Sequence, residues 1–188
     1  MSRLINLPPV IFMTDAERTP DPGAAIKRLP KGAGVIFRHY QVPNRKEIAQ
    51  SLVLLCRQRR ITFLVAEDWR LAMEINADGI HLPEHDLRSW RGCSTRLGGK
   101  NFMITAAAHS QKSLWAAARA GVNAVLVSPV FPTVSHPKNV PLGITRFANM
   151  CRVSPVPVYA LGGISKNNLA RLHNSGCVGV AGIGLFYT

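Results

Sequence analysis

Short apolar runs punctuate the chain at near-regular intervals: PPVIFM, GVIF, TFLVA, GIHL, FMITAAA, AVLVSPV, VPVYAL and VGVAGIGLF. Several are apolar throughout instead of alternating, the pattern of strands covered on both faces in a parallel sheet. Helix signals stand between them. Asp21-Pro22 sets an N-cap before a proline at the first helical position. Asn44 with Glu47 has the spacing of a capping box, followed by Ile48, Leu52, Leu55 and Cys56 on one face. Asp68 reads as the N-cap of WRLAMEI. Ser110 precedes Leu114, Ala117 and Ala118, with Gly121 as the stop. Ser165 opens a helix carrying Leu169 and Leu172 and closed by Gly176.

Eight strands in βα order predict a closed (β/α)8 barrel, one domain over residues 1–188, in preference to an open doubly wound sheet. The length falls short of the roughly 200 residues usual for that fold, so outer helices must be shortened or missing. DLRSWRGCSTRLGGKN, after the fourth strand, makes a poor helix. The eighth strand, ending near Phe186, leaves no room for a helix after it. A wall left uncovered in this way points to a homodimer contact.

Composition narrows the class. With 47% hydrophobic residues the chain can fill one good core. No apolar run approaches the ~18 residues of a membrane span, and the N-terminus does not read as a signal peptide. Cys56, Cys93, Cys151 and Cys177 are scattered with no CxxC pair, which predicts reduced thiols in a cytoplasmic protein.

The formal charge of +13 is unevenly spread. All ten acids lie at or before Asp86, and from Leu87 onward there are 11 Lys and Arg with no Asp or Glu. Such a field attracts phosphate esters, diphosphates or nucleic acid. The basic residues are spaced singly without interleaved aromatics, so nucleic acid gains no support as a partner. Carboxylate chemistry must come from the first half.

In a barrel of this kind the chemistry collects at the C-terminal strand ends. Those ends carry Arg38 and His39, Glu67 and Asp68, His81 with Glu84, His85 and Asp86, then His109, PVFPTVSH, GGIS and finally GVAGIG within the last strand. His81 is expected to point into the lumen. Gly162 and Gly163, with Gly182 and Gly184, occupy the place where many barrels bind phosphate, and a following helix would add its positive end. His39 and His85 read as surface histidines and Glu84 as a solvated acid.

LAMEINADGIHLPEHDL resembles the LAlavgADGVHLGQeDl segment of thiamine phosphate synthases. SPVFPTVSHP resembles their GPVFpTpTK, and PLG and ALGGIS match PLG and aiGGI in order and spacing. The resemblance, to the thiamine phosphate synthase/TenI superfamily, spans nearly the whole chain. It implies a (β/α)8 barrel that either joins a pyrimidine diphosphate to a thiazole phosphate, releasing magnesium diphosphate, or binds the thiazole phosphate and tautomerises it.

Carried over residue by residue, the resemblance is uneven. Of a Q-x-R-x-K motif only Arg38 stays, with Ile36 and Tyr40 in the flanking places. Asn-Asp after the third strand becomes Ala66-Glu67, and the second magnesium acid stays as Asp86. His81 and His109 stay, a serine becomes Ala107, Thr133 stays, and a Thr and a Lys become Ser135 and His136. Gly162 and Gly163 stay. The resemblance thus implies Mg2+ on Glu67 and Asp86, needed only for the synthase, with Arg38, Thr133, Ser135 and His136 on diphosphate. For a tautomerase it implies a proton moved by His109, or else His81. A non-catalytic phosphate-ligand binder or regulator is the alternative to both. The losses fall on the diphosphate side, since a histidine with pKa near ~6.5 replaces a lysine there. The monophosphate corner is intact.

Overall fold

The computed structural model describes residues 6–90, 102–133 and 139–184. Its strands are β1 (Val10–Met13), β2 (Gly34–Phe37), β3 (Thr62–Ala66), β4 (Gly79–Leu82), β5 (Met103–Ala108), β6 (Ala124–Val127), β7 (Val158–Leu161) and β8 (Gly179–Gly182). All are parallel and pair in chain order, with β8 returning to β1 to close the expected barrel. Outside them lie α1 (Pro22–Arg28), α2 (Arg45–Arg59), α3 (Trp69–Glu74), α4 (Gln111–Arg119) and α5 (Gly143–Val153). Single 3₁₀ turns, Glu84–Arg88 and Leu169–Leu172, stand after β4 and β7. β8 is followed by no helix among the described residues.

Most helix starts follow the local chemistry. Asp21 accepts the Ala24 N–H at 2.9 Å and Asp68 the Leu71 N–H at 2.9 Å, each silencing an orphan donor of the first turn. Ser110 and Ser113 form a reciprocal capping box on α4. Two expected starts differ. Asn44 makes no side-chain cap on α2. Instead Arg45, the first helical residue, forks onto Asp68 Oδ2 (2.9 Å) and the Ala66 carbonyl (3.0 Å). The helix expected from Ser165 shrinks to the 3₁₀ turn, because Asn168 Oδ1 takes the Ser165 N–H at 2.9 Å and Nδ2 donates to the Gly163 carbonyl at 2.8 Å. That side chain closes the turn on itself.

Two buried layers separate by strand parity. Ile11, Met13, Ile36, Leu64, Ala66, Met103, Ala124, Leu126, Tyr159 and Ala181 fill the lumen. Their neighbours Phe12, Val35, Phe37, Phe63, Val65 and Ile80 pack outward against the helices. The lumen closes by pairing large with small. Gly79 sits in register with Leu64 and Met103, and a Cβ there would lie 1.9 Å from the Met103 carbonyl oxygen. Gly179 leaves room for Tyr159, whose hydroxyl donates to the Pro8 carbonyl at 2.7 Å across the barrel floor. Gly79→Ala should therefore cost at least the 1–3 kcal/mol typical of overpacking, roughly. Urea unfolding at constant m-value reads this as a lowered midpoint. An unchanged midpoint would mean that β4 and β5 are not packed this closely.

Candidate functional site

Every strand end opens on one mouth. A cavity of about 640 Å³ there is lined by Arg38, Glu67, His81, His109, Thr133 and Gly162, together with Asp15, Glu17, Arg18, Tyr40, Ser128 and Asn139 among others. The volume is that of an ordinary small-ligand site. A second cavity of about 230 Å³ adjoins it at Gly162, Gly163, Gly182 and Gly184, and shares Arg18, Thr133, Leu161, Gly162 and Ile183 with the first. The four glycines expected to cradle phosphate thus lie around one hollow. Ser135 and His136 lie outside the described residues.

The two histidines of the mouth differ in what holds them. His81 is 6% exposed, stands in the lumen between Ala66 and Thr105, and hydrogen-bonds Thr105 Oγ1 through Nδ1 at 2.9 Å. Burial, seconded by the Arg38 guanidinium, pushes its pKa down to about 3. It is neutral at working pH and a poor proton acceptor. His109 Nδ1 lies 2.8 Å from the Ser128 carbonyl. A carbonyl only accepts, so Nδ1 carries the proton and Nε2 is the basic atom of this cavity-lining ring. Its backbone N–H donates to Glu84 Oε2 at 2.7 Å and to Ser113 Oγ at 3.1 Å, fixing the end of β5 to the turn after β4.

Glu84 is therefore no solvated acid; it braces the strand that carries His109. His39 is likewise no surface histidine. It is 5% exposed, stacks on Phe37 with ring centroids 5.0 Å apart, and shares a 2.9 Å hydrogen bond with the buried Thr14 hydroxyl. That hydroxyl also accepts the Arg38 N–H at 2.9 Å, so the pair sets the backbone from which Arg38 enters the mouth. Burial lowers the pKa of His39 as well. His85 is exposed, as expected.

The two acids expected on magnesium are placed differently. Glu67 lines the cavity from a left-handed backbone (φ 65), held by its N–H on the His81 carbonyl at 2.9 Å. Asp86 lies in the 3₁₀ turn, its carboxylate 43% exposed and 3.6 Å from His85 Nε2, and is not part of the cavity wall. Among the described residues no three His, Cys, Asp or Glu side chains converge as a metal site. Magnesium is commonly held by one or two carboxylates together with water and phosphate oxygens, and of the two acids Glu67 is the one on the cavity wall.

The glycine corner has a packing reason that the sequence does not display. Gly162 and Gly163 have φ of 92 and 68, and a Cβ on Gly163 would meet the Pro132 carbonyl oxygen at 2.2 Å. The loop after β6 lies directly on this turn, with the Phe131 N–H on the Gly162 carbonyl at 3.0 Å. A bulky residue at Gly163 would first displace that loop, not fill space kept for a phosphate.

A family model described as thiamine monophosphate synthase matches residues 13–186. The chain belongs to that family. A "Putative thiamine-phosphate synthase 2" of Aquifex aeolicus is 31% identical over 163 residues, covering 85% of this chain and 86% of its own length. A "Thiamine-phosphate synthase" of Listeria innocua is 33% identical over 154 residues, covering 80% and 70%. The solved "Thiamine phosphate pyrophosphorylase" of Pyrococcus furiosus shares the fold, with a TM-score of 0.79 over 95% of this chain and 87% of its own at 23% identity. No helix among the described residues of this thiamine monophosphate synthase family member is long and apolar enough to cross a membrane.

Neutral His81 leaves a signature in stability. Its folded pKa lies below the unfolded value near 6.5, so the unfolded chain binds the proton first as pH falls. The stabilisation is complete above about pH 6.5 and is lost from there down to about 3, at roughly 1.4 kcal/mol per pH unit. His81→Gln should flatten this dependence. Urea midpoints of both proteins at pH 7.5 and 5 should diverge in slope; parallel loss would show that His81 is not held neutral.

Proposed function

We propose that this family member binds a thiazole phosphate at the glycine corner and tautomerises its ring by proton transfer through His109, without metal. The observation that carries the reading is the His109 Nδ1–Ser128 carbonyl bond, which leaves a basic Nε2 on the cavity wall. With the phosphate docked in the adjoining corner, Nε2 takes a carbon-bound proton from the ring system. The imidazolium so formed returns it to another atom of the same molecule, so no atoms are gained or lost. The Glu84 carboxylate, on the backbone N–H of His109, fixes the strand end from which that ring reaches the cavity. His81, neutral down to about pH 3, packs and orients instead of accepting protons.

One observation favours the synthase reading. Arg38, Glu67 and Thr133 share the larger cavity, and the curated relatives carry the synthase name. There the ligand would be pyrimidine diphosphate with magnesium, and the cavity holds one of the two expected acids.

A direct comparison separates them. On thiazole phosphate alone, the tautomerisation rate should fall about 10²–10⁴-fold in His109→Ala, the size of a lost general acid–base contribution. It should not respond to chelator. Thiamine phosphate formation from both substrates that requires magnesium and collapses on neutralising Glu67 or Asp86 would overturn the proposal.

A further inference from the structure

We infer that Arg45, which does not itself line the cavity, is a positioning residue: it holds Glu67 in a strained turn and so sets that carboxylate on the cavity wall. The role applies whichever of the two reactions runs in the cavity. Ala66, Glu67 and Asp68 close the end of β3 in three residues. The Asp68 N–H donates to the Ala66 carbonyl at 2.8 Å, and Glu67 between them has φ 65. This is a γ-turn of positive φ, a rare and strained form for a residue that carries a Cβ. Glycine takes such a backbone freely and Asn or Asp with some ease, but glutamate has no such aptitude. The turn therefore has to be held from outside.

Its middle is held by the Glu67 N–H on the His81 carbonyl at 2.9 Å. Its two ends are held by Arg45. Nη1 donates to Asp68 Oδ2 at 2.9 Å and Nη2 to the Ala66 carbonyl at 3.0 Å, so the fork spans the residues on either side of Glu67. The Ala66 carbonyl thus accepts both the turn's own N–H and the guanidinium. The other Asp68 oxygen accepts the Leu71 N–H, which leaves neither end of the turn free to swing.

The fork is itself fixed. Arg45 Cζ lies 5.7 Å from the ring centroid of Phe37 and 5.9 Å from that of Tyr40, with the side chain 17% exposed. Its Nε is buried with no partner among the described residues. An unpaired buried N–H costs free energy that a simple cap by Asn44 at this helix start would avoid, yet Asn44 makes no cap. What Arg45 adds over such a cap is a planar pair of donors, which neither a short side chain nor a lysine reproduces.

Urea unfolding of position-67 variants in two backgrounds tests the clamp. With Arg45 present the turn is enforced, so Glu67→Gly should show a higher midpoint than Glu67→Ala at equal m-value. With Arg45→Ala the turn can relax, and the advantage of glycine should vanish or reverse, since glycine is the costlier of the two in an unstrained backbone. Arg45→Lys should fall between. The same Gly–Ala difference in both backgrounds would overturn the clamp. Turnover tests the positioning, on thiazole phosphate alone and with pyrimidine diphosphate and magnesium. In whichever assay the wild type is active, Arg45→Ala and Glu67→Gln should each lower kcat about 10- to 100-fold, the cost of a misplaced group. The double variant should lose no more than Glu67→Gln alone. Full turnover in Glu67→Gln, or losses that multiply, would overturn the positioning role. Neither substitution touches His109, so that result leaves the proposed function standing. A wild type inactive in both assays would sink the proposed function instead, and the urea midpoints then decide for or against the clamp.

Discussion

A strand of four residues offers the lumen only two side chains, and eight short strands, six of them of that length, must fill a closed barrel without voids or clashes. The solution is large against small around the ring. Gly79 admits Met103 and Leu64, Gly179 admits Tyr159, and the Tyr159 hydroxyl seals the floor on the Pro8 carbonyl. With the lower layers filled, the next inward place on β4 belongs to His81, one layer below the mouth. Its burial follows from the packing beneath it, and its neutrality follows from its burial. The geometry of the mouth is thus set from the floor upward.

Above that layer, hydrogen bonds to backbone decide which groups remain available for chemistry. Asp68 is consumed by the α3 cap and Arg45, Asp15 by its own loop, and Glu84 by the His109 amide. The cavity wall also carries Glu17, Glu67, Arg38 and the His109 ring. Two histidines 28 positions apart (109 − 81) in one cavity consequently have opposite aptitudes. One is desolvated into a neutral packing group. The other is oriented by a carbonyl with its basic nitrogen exposed to ligand.

Much of this was legible in the sequence, because apolar runs and strand-end position are local signals. The eight runs, the lumen placement of His81 and the gathering of Gly162, Gly163, Gly182 and Gly184 all follow from period and order. The misread positions share one cause: their partners are distant in sequence. His39 meets Thr14 at a separation of 25, and Glu84 meets His109 at 25. The same holds for Gly163, whose missing side chain answers to Pro132 in another loop. The helix expected at Ser165 failed for a nearer reason, since an Asn three residues on can close a turn as well as a Ser can open a helix.

The one-sided distribution of acids acquires a spatial meaning once the barrel is closed. β1 to β4 carry every carboxylate of the mouth, and β5 to β8 carry His109 and the glycine corner. An anion in the corner therefore sits on a chain segment that holds no acids, beside the β1 loop that carries Asp15, Glu17 and Arg18. Such an arrangement favours one phosphate at the corner over a second anion placed between Glu67, Asp15 and Glu17, where like charges would face it. A second, multiply charged group on that side would need a cation to bridge it to the carboxylates, and the cavity presents Glu67 without Asp86 for that task.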